Sequence, residues 1–290
     1  MIFNETYKMN NDIKIPKLAL GTWLIDNDKA AEAVRQAIKI GYRHIDTAQA
    51  YGNECGVGEG VRTSGISRDK IFVTSKIAAE NKTYESAANS INETLRKMGF
   101  DYIDMMIIHS PQPWREVNKS ENRYFKENRR VWKAMEDAVK TGKVKTIGVS
   151  NFLKEDIENI LSYCEFRPAI NQILAHISNT PFDLIRYCES KNILLEAYSP
   201  IAHGKALENK LIAKMAEKYN VSIPQLCIKY DLQLGMVVLP KTDNAEHMKN
   251  NANLDFTISN EDMETLKNVP HIENYGEFGA FPVFGGTIKA

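Results

Sequence analysis

Ionisable and polar side chains follow the ends of several short apolar segments of this chain. Asp46 ends one such segment and Tyr51 follows it closely, and Lys76 and His109 stand at the ends of two others. Taken singly, a tyrosine there usually packs, and an Asp–Lys pair is usually a surface ion pair. Two reactive alternatives are open. Lys76 carries an amine that could form a Schiff base with a carbonyl, and His44 with Asp46 has a spacing that could ligate a metal. No second His/Asp pair completes that site, so we predict no metal.

The apolar segments that precede these residues are rich in β-branched residues, as in parallel strands buried on both faces. Eight of them lie at 17–20, 43–46, 71–76, 102–108, 144–149, 169–172, 193–198 and 237–239. The later ones also run into polar residues, namely Ser150, Asn151, Gln172, Tyr198, Ser199, Lys241 and Thr242. A ring of polar residues at one set of strand ends is not explained by packing.

Amphipathic stretches between these segments predict helices. One covers 28–40 and stops at Gly41, and another is capped by Thr83 and stops at Gly99. Thr180 predicts the N-cap of a third, with Pro181 at its first position. About eight strand–helix units predict an α/β fold, a single (β/α)8 TIM barrel domain spanning 1–290. In such a barrel, chemistry takes place at the carboxyl ends of the strands.

An N-terminal hairpin, an internal loop and a C-terminal tail complete the predicted architecture. The alternating segment 7–15 predicts an N-terminal β-hairpin around an Asn-Asn-Asp turn. The loop at 112–128 carries Trp114, and the tail from Pro270 is rich in Gly, Phe and Pro. We expect the C-terminal loop to lie over the active-site rim, where Phe278, Phe281 and Phe284 either line the pocket or pack against the outside of the barrel.

Composition and motifs exclude several other classes. The 37 basic residues balance the 37 acidic ones, so the chain has no net positive charge that would attract nucleic acid or an anionic membrane. The run Gly56-Val57-Gly58-Glu59-Gly60 lacks the last spacing of a dinucleotide-binding fingerprint and follows no strand. The four cysteines are far apart, which is typical of reduced cytosolic thiols. With no signal peptide and no long apolar run, we predict a soluble cytoplasmic protein.

The chain resembles the aldo-keto reductase family, bacterial type, similar to aldose reductases and 2,5-diketo-gluconate reductases. The match covers nearly the whole chain, in order and with family-like spacing. It rests on these motifs: Gly21-Thr22-Trp23, Gly41-Tyr42-Arg43-His44-Ile45-Asp46-Thr47-Ala48, Tyr51-Gly52-Asn53-Glu54, Gly58, Thr74-Ser75-Lys76, His109-Ser110-Pro111, Gly148-Val149-Ser150-Asn151-Phe152, Asn171-Gln172, Tyr198-Ser199-Pro200 and Pro240-Lys241-Thr242.

This resemblance implies a catalytic tetrad of Asp46, Tyr51, Lys76 and His109. Tyr51 would be the general acid that protonates a carbonyl oxygen as hydride reaches the carbon. The Lys76 ammonium would lower the pKa of the Tyr51 phenol, which is ordinarily about 10. Asp46 would hold Lys76 in place, and His109 would orient the carbonyl.

The resemblance also implies the cofactor site and its preference for NADPH, with NADH possible. Ser150, Asn151 and Gln172 match positions that bind a nicotinamide carboxamide, and Tyr198 matches the aromatic that stacks on its ring. The remaining matched positions are Gly21, Thr22, Trp23, Asp46, Ser199, Pro200, Ile201, Lys241, Thr242, His247 and Asn251. His247 stands where the family commonly has arginine, so we expect appreciable use of NADH.

The implied activity is reduction of aldehydes and ketones to alcohols, with small carbonyls, α-dicarbonyls or sugar-derived aldehydes as substrates. Trp23, Tyr51, His109 and Trp114 are the predicted substrate residues, and Ser110 replaces the tryptophan that often follows the catalytic histidine. That replacement predicts a more open or more polar pocket. A monomer without nucleic-acid or membrane partners is the family-like default. Two alternatives remain, a nucleotide-binding regulatory barrel without turnover and a Schiff-base lyase using Lys76.

Overall fold

The computed structural model describes residues 2–117 and 119–285. Its strands are β1 Thr6–Lys8, β2 Lys14–Pro16, β3 Leu20–Gly21, β4 His44–Asp46, β5 Phe72–Ile77, β6 Ile103–Ile108, β7 Val144–Ser150, β8 Ile170–Leu174, β9 Leu194–Tyr198 and β10 Val237–Leu239. Its α-helices are α1 Asn27–Ile40, α2 Glu54–Arg62, α3 Tyr84–Met98, α4 Phe125–Lys140, α5 Lys154–Leu161, α6 Phe182–Ser190, α7 Lys210–Lys218, α8 Ile223–Gln233, α9 Ala245–Ala252 and α10 Asn260–Lys267. Residue 118 of the predicted loop and residues 286–290 of the predicted tail lie outside the described residues.

Strands β3 to β10 form one parallel sheet in chain order, and its two edges meet. Backbone hydrogen bonds from Ala19 N to Val238 O and from Gly21 N to Pro240 O, each 3.0 Å long, join the edges. The fold is therefore the (β/α)8 barrel that the segment pattern predicts, and each of the eight predicted segments contributes a barrel strand. Over the described ranges, no helix is both long and apolar enough to cross a membrane.

The N-terminal hairpin closes the amino end of the barrel. Strands β1 and β2 pair antiparallel, with Tyr7 opposite Ile15. The buried side chains of Met9 and Ile15 join a cluster with Phe72 and Met105 from the barrel strands. Because this end is filled by apolar side chains, the opposite end, where the strands carry their polar carboxyl-terminal residues, is left to bind a ligand.

The helix boundaries follow the predicted caps with one exception. Thr83 caps α3 through its side chain, which accepts a hydrogen bond from Ser86 N, and Gly99 ends the helix with φ of 66°. Helix α1 ends at Gly41 as predicted. The prediction for α6 is wrong by one residue, because Pro181 itself is the N-cap and the helix begins at Phe182. Thr180 instead donates its hydroxyl to His176 O at 3.0 Å.

The glycine run at 56–60 is a packing device within α2. A Cβ on Gly56 would lie 2.2 Å from Asn27 O, and one on Gly60 would lie 2.7 Å from Ala31 O, both on α1. A Cβ on Gly58 would lie 2.4 Å from the backbone of Met98, the last residue of α3. The glycines therefore let α2 approach both neighbouring helices closely, which explains their alternate spacing without a nucleotide.

Candidate active site

A cavity of about 480 Å³ opens at the carboxyl end of the barrel. It brings together most of the residues that the sequence predicts for a site. These are Gly21, Thr22, Trp23, Asp46, Tyr51, His109, Trp114, Ser150, Asn151, Gln172, Tyr198, Ser199, Pro200, Ile201 and Lys241. Of the other predicted site residues, Lys76 lies beneath the cavity floor, whereas Thr242, His247 and Asn251 are not among the residues that line the cavity.

A buried ion pair forms the floor. Asp46 on β4 pairs in register with Thr74 on β5, so Lys76, two residues further along, faces the same interior. Lys76 Nζ donates to Asp46 Oδ1 at 2.6 Å and to Thr47 O at 2.8 Å, and the Lys76 side chain is fully buried. Burial by itself lowers the pKa of Lys76, but Asp46 and Tyr51 together outweigh it, and the pKa is raised. Lys76 is therefore a fixed ammonium.

Tyr51 lies directly above this pair. A 3-10 turn over Gln49–Tyr51 follows β4 and places the Tyr51 ring with its centroid 4.9 Å from Lys76 Nζ. At this distance the ammonium acts electrostatically on the Tyr51 phenol. Burial raises the pKa of the phenol, and Lys76 opposes only part of that rise. The net direction differs from the expected lowering because the desolvation of the phenol exceeds the attraction of the ammonium.

His109 stands beside Tyr51 as a neutral imidazole. Its backbone N donates to Ile77 O at 3.1 Å just after β6, and its ring centroid lies 5.6 Å from that of Tyr51. Burial lowers the pKa of His109 well below its usual range, and Lys76 adds to this effect. Nδ1 of His109 has no hydrogen-bond partner among the described residues. A neutral imidazole can donate one hydrogen bond to a substrate oxygen.

Trp114 supplies the aromatic wall that Ser110 does not. The loop after His109 returns the Trp114 ring to an edge-on contact with the His109 ring, with centroids 5.0 Å apart at 87°. Ser110 itself is buried. Trp114, four positions after Ser110, therefore forms an aromatic wall at this side of the cavity, and the more open or more polar pocket expected from Ser110 stays a prediction.

The amide residues at the rim are already held by one another. Asn151 Nδ2 donates to His109 O at 3.0 Å, and its Oδ1 accepts from the Tyr198 hydroxyl at 2.7 Å. Ser150 donates its hydroxyl to Gln172 O at 3.0 Å. Gln172 commits both amide hydrogens to carboxyl oxygens inside the barrel, which leaves its Oε1 to face a ligand.

These groups fit a nicotinamide cofactor. The aromatic face of Tyr198 and the amide oxygen of Gln172 line the same cavity, together with Ser150 and Asn151. A flat ring with a carboxamide needs an aromatic surface and a few convergent polar atoms, and the cavity offers both.

The residues predicted for the phosphate end lie along the loop after β10 and on α9. Lys241 is exposed and lines the cavity. Thr242 Oγ1 accepts from Asn244 N at 3.1 Å, and Asn244 in turn caps α9. His247 is exposed in the first turn of that helix, whereas Asn251 is buried on it.

The C-terminal tail forms the outer wall of the cavity. Phe278, Phe281 and Phe284 all line it, and Trp23 contacts Phe281 edge-on with centroids 5.2 Å apart. The tail was expected either to line the pocket or to pack against the outside of the barrel, and in the structure its phenylalanines line the pocket.

Three further residues around the site were not predicted from the sequence. His203 stacks on Phe278 with centroids 4.1 Å apart, and Lys82 Nζ donates to Ser110 O, Pro111 O and Asn128 Oδ1. Glu196 lies fully buried on β9 beside Gln172. The available signal for Glu196 was a lone acid inside the otherwise apolar segment 193–198.

Comparisons with known proteins identify the family of this chain. The model of the aldo/keto reductase family matches residues 17–270. The glyoxal reductase of Bacillus subtilis is 36% identical and is aligned over 94% of this chain and 95% of its own length. An aldehyde reductase of Saccharomyces cerevisiae is 33% identical, with 97% of each chain covered.

Solved structures agree as well. The aldose reductase of Schistosoma japonicum superposes with a TM-score of 0.86 at 31% identity, covering 98% of this chain and 99% of that one. The family model covers most of the chain, the relatives are more than 30% identical along nearly its whole length, and the barrel is shared. This chain therefore belongs to the aldo/keto reductase family.

Proposed function

We propose that this protein reduces small aldehydes and ketones to alcohols with NADPH, and also uses NADH. The observation that carries the proposal is the position of Tyr51, which lies above the Lys76 ammonium and beside the neutral His109 at the floor of the cavity. A proton donor, a fixed positive charge and a hydrogen-bond donor thereby converge on one point. The cytoplasmic location and the monomeric state stay predictions.

The chain's own residues divide the work of the reaction. A bound reduced nicotinamide supplies the hydride. The His109 imidazole donates a hydrogen bond that orients the carbonyl oxygen, and Tyr51 gives that oxygen its proton. The Lys76 ammonium, held by Asp46, stabilises the phenolate that Tyr51 becomes. Because Tyr51 and His109 lie on loops that follow two different barrel strands, their separation depends on the rigid sheet beneath them.

The state of Lys76 argues against a Schiff-base lyase. Such a lyase needs a free amine that reaches the substrate, whereas Lys76 is fully buried and its ammonium donates to Asp46 and to Thr47 O. Its raised pKa keeps the amine protonated.

Small carbonyls are the proposed substrates. The cavity is walled by aromatic side chains, and relatives named a glyoxal reductase and an aldehyde reductase support α-dicarbonyls and simple aldehydes. Sugar-derived aldehydes, which have the same reacting group, belong to the same proposal.

The test measures the oxidation of NADPH and of NADH, by the loss of their absorbance, with glyoxal, methylglyoxal and benzaldehyde as substrates. Tyr51→Phe is the control, since it keeps the ring and removes only the hydroxyl. We expect turnover in the wild type and a loss of at least about 100-fold in the variant, with cofactor affinity unchanged. Cofactor binding without turnover would instead favour the regulatory barrel.

A further inference from the structure

Glu196 is connected to the floor of the active site through one amide. Gln172 on β8 pairs in register with Glu196 on β9. Gln172 Nε2 donates to Glu196 Oε2 at 2.9 Å and to Asp46 Oδ2 at 2.9 Å, while Asp46 Oδ1 accepts from Lys76. A continuous path of hydrogen bonds therefore runs from Glu196 through Gln172 and Asp46 to Lys76.

Among the described residues, no lysine or arginine forms an ion pair with Glu196, and the Lys76 ammonium acts on it only at longer range. Its side chain is fully buried, and its Oε1 has no hydrogen-bond donor among the described residues. The nearest ring nitrogen, His44 Nε2, lies 4.0 Å away and contacts Thr74 Oγ1 at 2.9 Å instead. Burial lowers the pKa of His44 to about 3, so the ring is uncharged at neutral pH.

A carboxyl group in this position destabilises the fold relative to an apolar side chain. An ionised carboxylate would be buried without a cation, and a neutral acid leaves one oxygen unsatisfied. Burial raises the pKa of Glu196 to about 8, and the charge of Asp46 acts in the same direction. The neutral acid is therefore the favoured form near neutral pH, and its hydrogen-bond partner among the described residues is Gln172.

We propose that Glu196 is a positioning residue of the reduction site, which fixes the Gln172 amide against Asp46 and leaves the Gln172 carbonyl oxygen facing the cavity. There that oxygen accepts a hydrogen bond from the NH₂ of a nicotinamide carboxamide, so this inference rests on the proposed function. Without Glu196, one Gln172 hydrogen loses its acceptor, and the amide is free to rotate or flip.

The first experiment measures binding and does not depend on turnover. Glu196→Met keeps the volume of the side chain and removes the acceptor, whereas Glu196→Gln restores an acceptor oxygen. The dissociation constants of NADPH and of 2′-phospho-ADP-ribose, which lacks the nicotinamide, are measured for each variant. We expect Glu196→Met to weaken the binding of NADPH about 10-fold without changing the affinity for 2′-phospho-ADP-ribose. Glu196→Gln should recover most of the lost NADPH affinity.

Glu54 offers a matched control. It is another buried carboxyl, on α2, and its Oε1 accepts from Ser75 at 2.7 Å and Thr94 at 2.9 Å, away from the Gln172 path. Glu54→Gln should leave the NADPH-to-fragment ratio unchanged. An equal loss of NADPH and fragment affinity in Glu196→Met, or no loss at all, would overturn the proposal.

A double-mutant cycle tests the route through Gln172. If Glu196 acts through that amide, Glu196→Met added to Gln172→Met causes no further loss of NADPH affinity. Additive losses would show that Glu196 acts independently of Gln172 and would contradict the inference. Wild-type binding without turnover would refute the proposed function while leaving this comparison intact.

A pH profile supplies a readout that a structural role would not change, and it remains available if Glu196→Met does not fold. The titratable groups that face Glu196 are Asp46 and His44 on β4 and Lys76 on β5. In alcohol oxidation Tyr51 must act as the phenolate, and above about pH 8, where Glu196 becomes ionised, its charge opposes the charge of the phenolate. Glu196→Gln should therefore lower the apparent pKa of kcat for oxidation, and an unchanged pKa would contradict the proposal.

Discussion

The indole of Trp114 meets the imidazole of His109 edge-on, with ring centroids 5.0 Å apart at an interplanar angle of 87°. Trp114 lies five residues after His109, beyond a corner that Lys82 holds through the carbonyls of Ser110 and Pro111. The contact closes one side of the cavity above Tyr51. It makes Trp114 both a wall of the cavity and a neighbour that supports the His109 ring.

Trp114→Ala should impair aromatic substrates most. Loss of the ring removes apolar contact with an aromatic aldehyde and one neighbour of His109, so we expect KM for benzaldehyde to rise about 10-fold. Glyoxal, which lacks a ring, should be affected less. Steady-state kinetics with both substrates test this, with Tyr163→Ala, an exposed aromatic on the surface, as the control. Equal changes for both substrates would exclude Trp114 as a selective wall.

Lys76→Met should reduce both turnover and stability. The variant leaves the Asp46 carboxylate buried without its ammonium, which in other proteins destabilises by about 3 to 5 kcal/mol. The double variant Lys76→Met with Asp46→Leu removes both charges and should regain stability without regaining turnover. Urea unfolding and kcat are the measurements. Recovery of turnover in the double variant would exclude Lys76 from the chemistry.

His247→Arg should shift the cofactor preference toward NADPH. Arginine carries a permanent charge and can bind a 2′-phosphate with two hydrogen bonds, and position 247 is exposed in the first turn of α9. We expect the ratio of kcat/KM for NADPH over NADH to rise about 10-fold. His247→Gln, which is neutral, is the matched control. If the ratio is the same in both variants, residue 247 does not contact the phosphate.

Acid should destabilise the protein through its buried histidines. Burial lowers the pKa of His44 and His176 to about 3 and that of His109 well below its usual range. The unfolded chain protonates histidine near pH 6.5, so below that pH it binds more protons than the native state. The stabilisation is fully present above pH 6.5 and is lost as the pH falls toward 3. His44 and His176 each lower the free energy of unfolding by about 2 kcal/mol between pH 7 and pH 5.

His176 offers a way to isolate one of these contributions, because it lies away from the catalytic residues. Its Nδ1 accepts from Ser178 N at 3.3 Å, and its Nε2 contacts the Tyr275 hydroxyl at 2.9 Å. His176→Gln should reduce the difference in unfolding free energy between pH 5 and pH 7 by about 2 kcal/mol. Urea unfolding at several pH values measures this, and an unchanged difference would mean that His176 does not titrate on unfolding.

Much of the site follows from the sequence because barrel geometry is regular. Strands that run parallel and in chain order bring their carboxyl ends to one rim, so Tyr51, His109 and Gln172 meet although they are far apart in the chain. Local patterns sufficed for this: apolar segments predicted the strands, and Gly41 and Gly99 predicted where helices end. The family motifs added the identity of the reacting groups.

Only the tertiary structure decided the contacts across and above the barrel. Gln172 and Asp46 are 126 residues apart, and their hydrogen bond exists because the closed sheet turns both side chains inward at the same height. The return of Trp114 to His109 depends on loop packing that has no periodic signal in the sequence. Desolvation likewise reversed the expected pKa shift of Tyr51, because burial is a property of the folded surroundings and not of the residue type.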